Sequence, residues 1–145
     1  MNHLRVLVTG SRTWQDTDTI HNALLAAWTD AIEADYDGIT VIHGGAAGAD
    51  TIADEWARAH RSDGVQVKKY EADWEGPCTS TCPPGHRKAR RGGTEYCPFA
   101  GHRRNQQMVD TAPVVLAFQH AGSTGTADCI RRAEKAGALV RRWTA

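Results

Sequence analysis

Hydrophobic positions along this chain change period several times, and each change marks an element. Leu4, Arg5, Val6, Leu7 and Val8 form a short apolar run stopped at Gly10, which reads as a buried strand. From a cap at Asp16 or Asp18, the residues Ile20, Leu24, Ala27, Trp28, Ala31 and Ile32 recur at helical spacing until Gly38. One face of that helix packs on a sheet. Ile39, Thr40, Val41 and Ile42 are β-branched without a break and predict a second strand. The tract His43, Gly44, Gly45, Ala46, Ala47, Gly48, Ala49, Asp50 leads into a helix carrying Ile52, Trp56 and Ala59, which Gly64 closes.

Residues 65–70 alternate enough to be a third strand, whereas Trp74, Gly76, Pro77, Pro83, Pro84, Gly85, Gly92 and Gly93 predict an irregular stretch. Periodicity returns as a helix over 101–112, and Val114, Val115, Leu116, Ala117 and Phe118 predict a strand buried on both faces. Gly122, Ser123, Thr124, Gly125 and Thr126 then open a helix with Ala127, Ile130 and Ala133 inward, and a last strand falls at residues 139–140. Strands alternating with helices require crossovers and a parallel sheet covered on both faces. The expected fold is therefore α/β, Rossmann-like and doubly wound, with a mainly parallel sheet of about five strands. An irregular insert bearing cysteines and histidines occupies residues 75–100. Ligands in such sheets settle beyond the carboxyl ends of the strands, where strand order reverses.

At 145 residues the chain is expected to be one domain spanning 1–145, able to bury a core without disulfides. Lysine plus arginine equals aspartate plus glutamate at 17 each, so no global field draws it to nucleic acid or anionic membranes. The most continuous apolar run falls far short of the roughly 20 residues a membrane span needs. The amino-terminal stretch shows neither an extended apolar segment nor a small-residue cleavage site, so a cytoplasmic location is expected.

Three strand-to-helix turns carry small or hydroxylated residues, which suits a phosphate held by main-chain N–H groups at a helix amino terminus. The expected ligand-binding set is Gly10, Ser11, Arg12, Gly44, Gly45, Gly48, Asp50, Gly122, Ser123, Thr124, Gly125 and Thr126, with Arg12 as counter-charge. Tight turns into helices favour glycine without any ligand, and it is three such loops at one sheet edge that favour an anion. Asp50 suits a ribose hydroxyl or a loop amide, and the helix macrodipole explains it equally well. His43 reads as a satisfied structural residue.

The run Arg104, Asn105, Gln106, Gln107, Met108, the strand from Val114, the turn Gly122 to Thr126 and the tract Gly44 to Asp50 together resemble the SLOG superfamily. The resemblance is strongest to its YspA-like, cpYpsA-related branch of bacterial and phage domains, and it covers nearly the whole chain outside the insert. It implies a Rossmann-like fold that binds nucleotides or nucleotide-derived signals, commonly as a homodimer or higher homo-oligomer. The same superfamily holds LOG-type phosphoribohydrolases, which cleave N-glycosidic bonds with an arginine and a glutamate. Arg104 matches that arginine by motif position, while the glutamate's place is taken by Cys129, with Asp128 one step earlier. Arg104 and Asp128 are thus the candidate catalytic pair. A neutral thiol does not stabilise an oxocarbenium charge as a carboxylate does, and Cys129 also reads as a small buried hydrophobe.

Cys78, Cys82, His86, Cys97 and His102 crowd into a segment with no core of its own. Three thiolates and one imidazole would make a closed structural zinc site, the fourth ligand being His86 or His102. Reduced thiols and a transient disulfide are the alternatives. Arg87, Lys88, Arg90, Arg91, Arg103 and Arg104 against Glu95 form a local basic patch that suits ligand phosphates, a nucleic-acid backbone with Tyr96 and Phe99 stacking, or plain solvation. Trp74 suits base stacking or anchoring of the insert. The leading expectation is a binder of a nucleotide-like small molecule, either a sensor or an enzyme. A nucleic-acid module built on the insert is the rival.

Overall fold

The computed structural model describes residues 2–76, 82, 85–89 and 95–144. Its main sheet has five strands: β1 (His3–Gly10), β2 (Gly38–His43), β3 (Val65–Lys69), β6 (Val114–Gln119) and β7 (Leu139–Thr144). They lie in the order β3-β2-β1-β6-β7, and every neighbouring pair is parallel. Helices α1 (Thr17–Glu33), α2 (Ala49–Ala59), α3 (Ala100–Thr111) and α4 (Thr124–Lys135) fill the connections. The doubly wound α/β expectation is met.

Alternation along the central strands explains the two layers. Val6, Val8, Val41 and Leu116 point into one core with Ile20, Leu24 and Ala31 of α1 and Ala53 and Trp56 of α2. Leu7, Ile42 and Val115 point the other way, against Met108 and Val109 of α3 and Cys129 and Ala133 of α4. Strands buried on both faces carry apolar residues at consecutive positions, as β1 and β6 do.

Several boundaries differ from the sequence reading. Ile32 is half exposed because the α1 stripe runs through Ile20, Leu24, Ala27 and Ala31, and Ile32 lies about 100° round from Ala31. Ala59 is exposed for the same reason, the α2 stripe being Ala49, Ala53, Trp56 and Ala57. Ala127 is only half-buried, and Asp128 and Cys129 take the inward face of α4. The last strand runs on to Thr144, its character masked in sequence by Arg141 and Arg142 on an edge strand. The insert is not wholly irregular, since β4 (Lys88–Ala89) and β5 (Glu95–Tyr96) form a short antiparallel ladder. Both outer strands are cationic at their ends, with Lys68 and Lys69 on β3 and Arg141 and Arg142 on β7. Among the described residues, no helix is long and apolar enough to cross a membrane.

Candidate functional site

The strand order reverses between β1 and β6, whose carboxyl ends are in register at Gly10 and Phe118. The chain there leaves in opposite directions, into α1 on one face and α4 on the other, which opens a crevice. Gly10 is required at this point: a Cβ would meet the Phe118 carbonyl oxygen at 2.7 Å and Ala49 Cβ at 2.4 Å. Ser11 ties the two strands together, its N–H donating to Phe118 O at 2.8 Å and its hydroxyl accepting from His120 N at 2.8 Å.

A cleft of about 570 Å³ lies over this junction. Of the expected ligand-binding residues, Gly10, Ser11, Arg12, Gly44, Asp50, Gly122, Ser123, Thr124, Gly125 and Thr126 line it, and so does Arg104. Gly45 and Gly48 do not. Gly45 lies against the Lys69 side chain, and Gly48, at φ +75°, brings the start of α2 against the Ser11 and Arg12 carbonyls. The sequence reading missed Thr9, Thr13, Asn105 and His120 as lining residues. The switch-point rule, applied to the residues just past β6 as well as to the glycines, would have found His120.

The loops differ in what their main-chain N–H groups already hold. In the β2–α2 loop, Asp50 Oδ2 accepts from Gly44 N at 3.1 Å and Ala46 N at 3.2 Å. Gly45 N donates to His43 Nδ1 at 2.9 Å, and His43 Nε2 lies 2.7 Å from Asp54 Oδ1. This geometry places the ring proton on Nε2. Burial pushes the Asp50 carboxyl above the ordinary aspartate value of 3.8, against the pull of those hydrogen bonds and of His43 and Arg104.

At the start of α4 the situation reverses. The Ser123 side chain caps no helix N–H and instead pairs with Thr126 Oγ1 at 2.8 Å, while its carbonyl accepts from Ala127 N at 3.2 Å. Among the described residues, the N–H groups of Thr124, Gly125 and Thr126 have no partner, and no acidic residue stands in the first turn. A Cβ built on Gly122 or Gly125 would meet nothing, so this end of the helix is open.

Arg104 crosses from α3 to the loop after β2, where its Nη1 donates to Gly44 O at 2.7 Å and its Nε to Asn105 Oδ1 at 3.1 Å. The guanidinium rests directly on Gly44, where a Cβ would lie 2.6 Å from that Nη1 and push it aside. Burial lowers the Arg104 pKa, Asp50 and Cys129 oppose, and the charge of Arg12 adds to the lowering. The charges of Arg12 and Arg104 therefore act against one another, and Arg104 remains a cation.

Asp128 is buried and does not line the cleft. Its carboxylate accepts from Asn105 Nδ2 at 3.0 Å, Arg131 Nη2 at 2.7 Å and Arg132 Nε at 2.9 Å. Burial opposes its ionisation, but hydrogen bonds from Arg132 and Asn105 and the Arg132 charge outweigh burial and hold its pKa low. Cys129 is wholly buried, and burial pushes its thiol up to about 11, so the group is neutral.

In the insert, the ligand atoms of Cys82, His86 and Cys97 lie within 4.8 Å of one another, a group able to hold a metal ion. The two sulfurs are 3.8 Å apart. A tetrahedral ion with metal–sulfur bonds of about 2.3 Å separates its thiolates by about that distance. Arg103 Nη1 approaches Cys82 Sγ at 3.2 Å and Cys97 Sγ at 3.7 Å, and the Cys97 sulfur raises the Arg103 pKa. Cys78, Arg90 and Arg91 lie outside the described residues. His102 is not in the group; it lines the cleft and meets Phe99 edge-on at 5.7 Å. Trp74 serves the insert and the cleft together, since its carbonyl accepts from Cys97 N at 2.7 Å while its ring lines the cleft above Gly101.

The chain belongs to the YspA, cpYpsA-related SLOG family (YAcAr), whose profile matches residues 4–76, a stretch that runs from β1 to the start of the insert and carries the Gly44 to Asp50 loop. It is 41% identical over 139 residues to the Gene 61 protein of Mycobacterium phage D29, covering 94% of this chain and 93% of that protein. Among solved structures, DNA processing protein A from Helicobacter pylori superposes with a TM-score of 0.62 at 16% identity, covering 97% of this chain. The same protein from Streptococcus pneumoniae gives 0.51 at 14% identity, covering 96% of this chain. This chain spans 65% of the Helicobacter protein and 58% of the Streptococcus one, and at these identities the likeness is one of fold.

Proposed function

We propose that this chain binds the phosphate of a nucleotide-derived ligand, with the phosphate at the amino terminus of α4 and the rest of the ligand along the cleft toward Trp74. The observation that carries the reading is the set of unengaged N–H groups on Thr124, Gly125 and Thr126, facing a cleft into which Arg12 and Arg104 both bring positive charge. Main-chain donors, a helix dipole and two cations with one buried acid between them favour an anion. Gly44, Gly45 and Ala46 have a different part in this reading: they build a rigid floor that carries Arg104.

Binding without turnover fits the site best. Hydrolysis of an N-glycosidic bond needs a carboxylate beside the sugar; the position matching the family's glutamate is the neutral, buried Cys129, and Asp50, the acid that lines the cleft, is held on Gly44 N and Ala46 N. We assign Asp128 to positioning Asn105, since its carboxylate accepts from that α3 side chain and is otherwise engaged by Arg131 and Arg132 of its own helix. The Cys82, His86 and Cys97 group completes the reading as a structural zinc site.

Calorimetric titration with AMP and with adenosine tests this directly. AMP is expected to bind at least tenfold more tightly, on the order of the charge-assisted bonds gained. Gly125→Glu, which puts a carboxylate into open space at the α4 terminus, is expected to erase that difference. Equal binding of AMP and adenosine by the unaltered protein would sink the phosphate assignment, and release of free adenine would overturn binding without turnover.

A second reading, binding of single-stranded nucleic acid, rests on the exposed Lys88 of β4 on the insert, where the neighbouring Arg87 faces Glu95 at 3.6 Å. The Helicobacter structure is itself described for its single-stranded DNA binding mode. Affinity for an oligonucleotide that falls steeply with salt, against a shallow dependence for AMP, is the result this reading expects.

A further inference from the structure

The metal-binding group and the cleft share a stretch of chain. Cys97 is wholly buried three residues before α3, and its carbonyl accepts from Ala100 N at 3.1 Å, so the cysteine is part of the turn that starts the helix. The residues that follow, Pro98, Gly101, His102, Arg104 and Asn105, form one wall of the cleft. Trp74 stands on the same wall, held by the Cys97 N–H on one side and packed over Gly101 on the other. In the first turns of α3, adjacent side chains face the two sites: Arg103 turns to the sulfurs of Cys82 and Cys97, and Arg104 turns to Gly44 and the cleft.

From this juxtaposition we infer that a zinc ion on Cys82, His86 and Cys97 clamps the first turn of α3 and the Trp74 ring into the wall of the cleft, so that zinc and the phosphate-bearing ligand bind cooperatively. The inference rests on the cleft being the ligand site. With the ion bound, two thiolates and an imidazole converge on one point, and the turn from Cys97 to Ala100 is fixed from its amino-terminal side. Arg103 offsets the negative charge of the thiolates while anchoring the helix to them. Without the ion that common point of attachment is lost, and the wall loses its outer anchor. Since the coupling is an equilibrium property, it acts in both directions: AMP raises the affinity for zinc by the factor that zinc raises the affinity for AMP.

The test uses the whole chain in zinc-loaded and chelator-stripped forms, with zinc re-addition as the reversal control. Three measurements are made on each: zinc content by native mass spectrometry, hydrogen exchange of residues 98–105, and AMP affinity. Stoichiometric zinc, faster exchange across 98–105 on stripping, and roughly tenfold weaker AMP binding are expected. The variant Cys82→Ser, at a half-buried position where loss of folding is the lesser risk, should reproduce the stripped form and not respond to added zinc. Failure to retain zinc in the unaltered protein overturns the inference. So does stoichiometric zinc whose removal changes neither exchange at 98–105 nor AMP affinity. If stripping loosens 98–105 and no nucleotide binds either form, the clamp stands and the phosphate reading falls.

Discussion

Two loops of this protein are spelled almost alike and behave as opposites. Gly44 to Asp50 and Gly122 to Asp128 both run from a glycine through four small residues to Ala-Asp, and both leave a central strand for a helix. In the first, α2 starts at Ala49, so Asp50 is the second helical residue and folds back onto Gly44 N and Ala46 N. In the second, α4 starts at Thr124, so Asp128 is the fifth residue, a turn too deep to reach the loop, and it turns to Asn105 and Arg132. Where the helix begins decides whether the aspartate accepts from the loop's own amides or turns away from them. Glycine content marks the tight turn in both and says nothing about which amides are vacant.

The largest effect expected from probing this contrast is at Gly48. Its positive φ and the 2.4 Å approach of a Cβ to Ser11 O mean that Gly48→Ala should cost roughly 3 kcal/mol, read as a fall in the urea midpoint. A loss under 1 kcal/mol would show that the β2–α2 loop is not locked against β1.

The next effect concerns the paired aspartates and has opposite signs. Asp50 has a raised folded pKa, so its contribution is greatest in acid and declines as pH climbs past 3.8 toward the folded value. Asp128 has a lowered folded pKa, so its contribution is complete above 3.8 and disappears as pH falls through the folded value. Urea titrations over a pH series should therefore show Asp50→Asn removing a loss on the alkaline side and Asp128→Asn removing a loss on the acid side. Parallel curves for the two variants would break the comparison. Gly125→Ala should give the smallest change, a gain of about 0.5 kcal/mol in thermal unfolding, since the added methyl meets open space in a helix.

Much of the fold was legible because β1, β2 and β6 carry consecutive apolar residues that only a two-faced sheet can bury. The end of β7 was not, because an edge strand tolerates Arg141 and Arg142, which erase its alternation. At the site, Gly10, Arg12, Arg104 and the α4 turn could be placed by the strand-reversal rule and by motif. The engagement of the β2–α2 amides could not, since it depends on a helix start, and helix starts shift by a residue or two without a visible signal. His86 and His102 were equivalent by spacing; the start of α3 separates them, sending His102 to the cleft and leaving His86 with the sulfurs.

The lysines at the end of β3 and the arginines at the end of β7 carry one further consequence. An open parallel sheet offers bare backbone on both flanks to any other strand. Long, hydrated side chains stand there, Lys68 and Lys69 on one edge and Arg141 and Arg142 on the other, with Lys69, Arg141 and Arg142 paired to nearby acids. They have to be displaced or desolvated before another strand can dock. Growth of the sheet into a continuous ribbon through further copies of this chain is thereby discouraged.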